Sequence, residues 1–280
     1  MLVGLSDFAQ LRKSGIYVDK TDILDEISPV IQSSASLILN RPRRFGKSLM
    51  VSMIEAFYSF DRDSRECFEG LKIASSPNFS HLNQYPVITV SFKNASSVDP
   101  ALMLSSIKKA LSSLFAFWAD RLLPCCSPRE NSFYNSILEG TCAEDDYALC
   151  LNSLCVLINK AYGKKPIILI DEYDAPIESS YGSEQYKSIL SFLKSLYIAT
   201  FQDTDAFGYG FITGVFGIAK GTLGTGLNNI PVDSGQTSIL SKNYFGFSRP
   251  EVEKLCLRYH ISEEDKRRLW DYYGGYEFHR

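Results

Sequence analysis

Ser36-Leu37-Ile38-Leu39-Asn40, followed by Arg41-Pro42-Arg43-Arg44-Phe45-Gly46-Lys47-Ser48, reads as a short apolar strand running into a loop that ends Gly-Lys-Ser. The apolar periodicity from Leu49 to Tyr58 then predicts a helix. A strand, a loop and a helix start in that order form a phosphate-binding arrangement, because backbone N–H groups and the positive end of the helix converge on an anion. In that reading Lys47 reaches the β- and γ-phosphates and the Ser48 hydroxyl ligates Mg²⁺. Arg41 occupies the position where the motif asks for glycine. By itself the stretch is a weak signal, and a plain strand–turn–helix unit with an exposed lysine fits it better.

A second run weighs against that plain reading. Pro166-Ile167-Ile168-Leu169-Ile170-Asp171-Glu172 is continuously apolar and ends in two carboxylates, as expected of a buried parallel strand whose carboxyl end lies at a functional edge. Asp171 is placed to hold Mg²⁺ and Glu172 to polarise an attacking water. Taken alone, an acidic pair is also an ordinary polar strand end. Two such motifs in the right order, each on its own strand, point to nucleotide binding.

Further β-rich runs occur at 86–92 and 207–214, and a fifth short strand is expected at 243–247. Helices are expected at 8–15, from Thr21 or Asp22 to about Ser33, from Asp99-Pro100 to Arg121, at 145–162, at 184–200, at 250–259 and from Ser262 or Glu263 onward. Residues 122–140 read as an irregular surface excursion, and 217–235 as a glycine-rich stretch of poor periodicity. Alternating strands and helices predict an α/β fold: a three-layer P-loop NTPase with a mostly parallel five-stranded sheet and helices on both faces. Ligands of such sheets sit beyond the carboxyl ends of the strands, where Lys47, Asp171 and Thr213-Gly214 all fall.

Composition narrows the class. The 280 residues are 45% hydrophobic, enough for a sizeable core, and the net charge of −3 does not indicate nucleic acid. The local cations Arg41, Arg43, Arg44 and Lys47 are accounted for by phosphate. Seven cysteines without a C-x-x-C pair, beside three scattered histidines, argue against a zinc site or a disulfide framework. Reduced, mostly buried thiols suit an intracellular, cytoplasmic protein. No apolar stretch approaches the roughly 20 residues that span a bilayer.

The motifs together resemble the AAA-ATPase-like family over about residues 5–278. The matching residues are Phe8-x-x-Leu11-Arg12-x-x-Gly15-x-Tyr17-Val18-Asp19-Lys20-Thr21, then the 41–48 loop, Asp171-Glu172-Tyr173-Asp174-x-Pro176-Ile177, Thr213-Gly214-Val215, Gly226-Leu227-Asn228-Asn229 and Phe245-Gly246-Phe247-Ser248. In that family Arg-Pro-Arg-Arg in place of the first loop glycine is usual. The resemblance implies ATP and Mg²⁺ as cofactors and a sheet with an extra strand between the two motif strands. It assigns Arg41, Arg43, Arg44, Phe45, Gly46, Lys47, Ser48 and Leu49 to the nucleotide, Ser48 and Asp171 to the metal, and Glu172, Lys47 and Thr213 to catalysis.

There are two departures. Where the family generally carries arginine after Thr-Gly-[Ile/Val], this chain has Gly217, with Lys220 nearby. An arginine can be worth roughly 10³-fold or more in phosphoryl transfer, so weak hydrolysis by a nucleotide-dependent regulatory module is the alternative to an ATPase. Members also often continue into a restriction-endonuclease-like domain, whereas this chain ends in what is mid-domain for the family. The expected organisation is an NTPase domain over 1–247, with a helical lead-in over 1–35, and a truncated helical lid or C-terminal region over 248–280. No Asp…Glu-x-Lys pattern supports a nuclease, and the partner expected beside the nucleoside triphosphate is a protein or a second copy of the chain.

Several residues keep two readings. Arg43 and Arg44 fit direct phosphate contacts or, alternatively, solvated side chains or pairs with acidic residues elsewhere, and a left-handed Arg41 would cost about 1–2 kcal/mol. Thr213 fits a γ-phosphate sensor or a plain strand end, and Asp174 an outer carboxylate or a turn residue. Asn228-Asn229 fits a nucleotide or subunit contact or, better, a simple turn. For Asp19-Lys20-Thr21, helix capping by Thr21 suffices. The aromatic set Tyr272, Tyr273, Tyr276 and Phe278 suits the core of a further region better than a stacking platform.

Overall fold

The computed structural model describes residues 6–96, 98–202, 204–215, 227, 229–234, 239–240 and 244–274. Five strands run in chain order: β1 Ala35–Asn40, β2 Val87–Ser91, β3 Ile167–Asp171, β4 Tyr209–Gly214 and β5 Val232–Asp233. They form one all-parallel sheet in the order β2-β3-β4-β1-β5. The strand that follows the acidic pair in sequence, β4, therefore lies between the two motif strands, as the resemblance implies.

Helices cover both faces. They are α1 Phe8–Ser14, α2 Ile23–Ile27, α3 Lys47–Tyr58, α4 Arg65–Phe68, α5 Lys93–Ser96, α6 Pro100–Leu122, α7 Pro128–Glu139, α8 Glu144–Tyr147, α9 Cys150–Tyr162, α10 Ala175–Ser180, α11 Tyr186–Phe201, α12 Arg249–Arg258 and α13 Glu263–Tyr273. The period-2 alternation of β3 divides the core. Ile167 and Leu169 join α1–α4 on one face, and Ile168 and Ile170 join α6, α7, α9 and α11 on the other. Every residue of β3 is buried, which is why it reads as an unbroken apolar run.

Local chemistry explains the departures from the expected elements. Residues 122–140 are mostly helix α7: Ser127 and Glu130 form a reciprocal capping box around Pro128, and Tyr134 and Ile137 are buried. The helix expected from 22 to 33 is shorter. Pro29 has no N–H to donate, and α2 gives way to a 3₁₀ turn over Ser28–Val30. Thr21 does not cap it; its hydroxyl bonds to Asp19 (2.7 Å) and accepts the Ile73 N–H (3.2 Å). The seven thiols are unpaired, but only Cys150, Cys155 and Cys256 are buried.

The fifth strand is Val232–Asp233; residues 244–247 form no strand. With two residues, β5 has little ladder to hold it, and a buried ion pair supplies the tie. The Arg41 guanidinium donates to the Asp233 carboxylate (2.6 Å) and to the Asp233 carbonyl (3.1 Å), while the other carboxylate oxygen accepts the N–H groups of Ile239 and Leu240. Both side chains are shielded from solvent. Removing one partner strands a buried charge. Asp233→Ala is expected to lower unfolding free energy by about 3–5 kcal/mol in equilibrium urea denaturation; a loss below about 1 kcal/mol, the level of an exposed pair, would contradict this role.

Candidate functional site

The sheet brings three strand ends together on the face that carries α3. In register, Ser91 of β2 lies beside Asp171 of β3, and Ile170 beside Ile212 of β4, so Asp171 and Thr213 are neighbours. The Thr213 hydroxyl donates to the Asp171 carboxylate at 2.6 Å, and both side chains are buried. Main-chain bonds extend the ladder past the strand ends, from Phe92 N–H to Asp171 C=O and from Tyr173 N–H to Thr213 C=O. Gly214 is required here, because a Cβ would stand 2.4 Å from the Tyr173 ring and 2.7 Å from the Asp174 carboxylate.

The loop leaves β1 next to this row. Arg41 N–H still pairs with Gly214 C=O, after which the chain turns through Arg44 (φ 69°) and Gly46 (φ 82°) into α3. Space beyond the Gly46 Cα is open, as a cradle for an incoming group requires. The helical ladder begins with Met50 N–H to Gly46 C=O, so the N–H groups of Lys47, Ser48 and Leu49 precede it at the positive end of the helix. Ser48 sits half-buried in this first turn, and Phe45 is half-buried just before it. Positive φ falls on Arg44, not on Arg41.

Lys47 is buried, and its ammonium donates to the carbonyls of Arg41 (2.9 Å) and Pro42 (3.0 Å). An ammonium has three N–H donors, so one remains for a further acceptor. Burial pushes the Lys47 pKa down, against the opposing pull of Asp171, Asp174 and Glu172. The amine and the acidic cluster therefore share one electrostatic neighbourhood. Asp174, also buried, accepts the Val215 N–H at 2.7 Å and so ties the exit of β4 to the acidic turn. Glu172 stands at φ 55°, a conformation that strains a non-glycine residue. Burial and the neighbouring Asp171 raise its carboxyl above the ordinary range, with Lys93 and Lys47 opposing.

The arginines divide. Arg41 is committed to Asp233 and lies 5.0 Å from the Phe245 ring centre, so its guanidinium serves the fold where phosphate contact was expected. Arg43 is exposed and donates to Glu178 of α10, and Arg44 is exposed. Gly217, Lys220 and Asn228 lie outside the described residues. No group of three or more His, Cys, Asp or Glu among the described residues could hold a metal ion by itself. Mg²⁺, however, commonly takes one or two carboxylates and completes its shell with water and phosphate oxygens. Ser48 and Asp171 suit that sharing, as the open cradle and the third Lys47 donor suit a phosphate.

Two features escaped the sequence. Asp233 sits in the weakly periodic 217–235 stretch; an arginine inside an apolar strand–loop junction was the signal that a buried acid must exist. The other is a cleft beside the loop, where Tyr17, Val18 and Lys20 face Phe45, Leu49, Met50 and Phe247.

The family model described as "Predicted AAA-ATPase" matches residues 2–224. The chain belongs to the predicted AAA-ATPase family. Nucleotide binding is thus the class of activity that membership carries, at the coarse level of a predicted ATPase. The chain is also similar to an uncharacterized protein in the vnfD 5'region of Azotobacter chroococcum mcd 1: it is 26% identical over 284 residues, covering 99% of this chain and 48% of that protein. The predicted AAA-ATPase chain thus spans about half the length of that curated relative. No solved structure matches it significantly. Among its described residues, no helix is long and apolar enough to cross a membrane.

The raised Glu172 pKa has a stability consequence. Its folded value lies above its unfolded value, so ionised Glu172 costs stability at neutral pH, and the cost disappears below the unfolded pKa. Glu172→Gln is therefore expected to melt higher than wild type near about pH 7.5, with the gap closing as pH falls below the ordinary glutamate range of about 4.3. A lower melting temperature at neutral pH, or a gap independent of pH, would contradict the assignment.

Proposed function

We propose that this edge binds Mg²⁺·ATP and hydrolyses it. Lys47 offers its third N–H to the β- and γ-phosphates, and the first-turn N–H groups of α3 wrap the phosphate chain. Ser48 and Asp171 are the metal residues; bound Mg²⁺ would neutralise charge on the phosphate oxygens. Thr213 holds the Asp171 carboxylate in place by a 2.6 Å hydrogen bond, a positioning role, and as a sensor its hydroxyl would meet the γ-phosphate. Glu172, adjacent and half-buried, orients the attacking water and accepts its proton. Its raised pKa makes it a stronger base than a solvated glutamate. The apolar cleft flanking the loop suits the purine base, which would lie between the Tyr17-Val18 segment and Phe247.

The observation that carries this reading is the buried Lys47 amine inside the field of Asp171, Asp174 and Glu172, at the end of a helix whose N-terminus is open. One observation favours weaker hydrolysis. Arg41 is locked to Asp233 and Arg43 is paired with Glu178, so fewer guanidinium groups are left to meet charge developing on the γ-phosphate. A nucleotide-dependent regulatory module that acts on a protein partner or a second copy is the second reading.

Phosphate release measured beside equilibrium ATP binding separates the two. Wild type is expected to release phosphate, and Glu172→Gln to lose about 10²-fold or more of that rate while its ATP affinity stays within a few-fold. Equal rates in the two proteins would remove Glu172 from catalysis; binding without release in wild type would select the regulatory reading.

A further inference from the structure

Glu172 opens a turn whose backbone is tied down at several points. The residue itself stands at φ 55°, a left-handed conformation that residues other than glycine rarely adopt. Such a residue keeps its shape only where the surroundings over-determine it. The Glu172 carbonyl accepts the Ala175 N–H (3.2 Å) and the Tyr173 N–H donates to the Thr213 carbonyl (3.1 Å), which fixes the peptide between Glu172 and Tyr173. The Asp174 carboxylate accepts the Val215 N–H at 2.7 Å. These bonds come from the turn itself and from the end of β4.

A further support comes from α11. Its buried stripe is Ile189, Phe192, Leu193, Leu196, Tyr197 and Thr200, at the spacing of one helix face. Tyr197 brings a phenol into this largely apolar stripe, and a buried phenol hydroxyl needs a partner. The hydroxyl donates to the Tyr173 carbonyl at 2.9 Å, joining residues 24 apart that are both buried. The Tyr173 ring meets the Tyr197 ring edge-on, with centres 6.2 Å apart, and it also lies over Gly214, where a Cβ would stand 2.4 Å from it. The peptide between Tyr173 and Asp174 is thereby fixed from the core, and the ring is confined between α11 and the end of β4.

We infer that Tyr197 is a positioning residue for Glu172: its hydroxyl clamps the turn that aims this carboxylate at the attacking water. The inference rests on the hydrolytic reading above and adds to it a residue that acts from the core, through another side chain. Without the hydroxyl the Tyr173 carbonyl loses a buried partner, and rotation of the 173–174 peptide toward a new one is favoured. Relief of the left-handed conformation at Glu172 pulls the same way. The carboxylate then leaves the orientation in which it meets the water, and misplacement by about 1 Å can cost about 10²-fold in rate. Lys47 and Ser48 stand on α3, so phosphate binding does not depend on this turn.

Double-mutant kinetics test it, with phosphate release at saturating Mg²⁺·ATP read beside equilibrium ATP binding and circular dichroism. Tyr197→Phe removes the hydroxyl and keeps the ring. It is expected to fold, to lose roughly 10-fold in kcat and to hold its ATP affinity within about 2-fold. In a Glu172→Gln background the same change is expected to cost less than about 2-fold, because a residue acting through Glu172 has nothing left to position. Thr200→Val removes another buried hydroxyl from the stripe, one that donates within α11 to the Leu196 carbonyl (2.6 Å), and is expected to keep kcat within about 2-fold. Unchanged kcat in Tyr197→Phe, an equal loss with and without the Glu172 carboxylate, or an equal loss in Thr200→Val would overturn the clamp and leave the hydrolytic reading standing. So would a Tyr197→Phe protein that fails to fold or that loses affinity as steeply as rate. Wild type that releases no phosphate would overturn both.

Discussion

A charged amine withdrawn from water is the constraint around which this edge is organised. Burying the Lys47 ammonium is costly unless hydrogen bonds and opposite charge compensate, and both are supplied from defined places. The carbonyls come from Arg41 and Pro42, the first two residues of the loop, so the loop must curl back over the start of its own helix. The charge comes from Asp171, Asp174 and Glu172, which reach the site only because β3 lies one strand away from β1 with β4 between them. Sheet order, loop path and helix start are therefore linked through one side chain.

The same logic explains the arginine at the head of the loop. Glycine in that position would give freedom without a tether. Arg41 instead uses its carbonyl to hold Lys47 and its guanidinium to hold Asp233, so one residue joins the loop before α3 to the two-residue edge strand β5. The conformational demand is moved along the chain, to Arg44 and Gly46, where φ is positive. Asp233 in turn gathers Ile239 and Leu240, so the loop and the segment leading toward the cleft wall share a buried polar centre.

What could be read in the sequence follows from how local each signal is. The parallel α/β sheet, with Asp171 at a strand end and Lys47 and Ser48 at a helix start, was legible because apolar runs ending in polar residues encode a buried strand and its end within a few positions. Thr213 was placed at the correct strand end, although its bond to Asp171 joins residues 42 apart. Arg41 was misread because its partner lies 192 residues away, and nothing local marks which cation faces phosphate and which faces an acid. β5 was missed because two residues carry no periodicity. Helix α7 was missed although Ser127-Pro128-x-Glu130 is a helix-start signature; the cysteines and prolines before it suggested a loop. The cleft is a product of tertiary packing, and no spacing announces it.

The central claim is that a polyphosphate completes the coordination of Lys47. Equilibrium titration of Mg²⁺·ATP into wild type and Lys47→Ala measures it most directly, with circular dichroism confirming that the variant is folded. Wild type is expected to bind, and the variant to lose roughly 10-fold or more in affinity, the minimum for removing a charge-assisted contact of about 1.5–3 kcal/mol. Equal affinity in the two proteins would contradict the account.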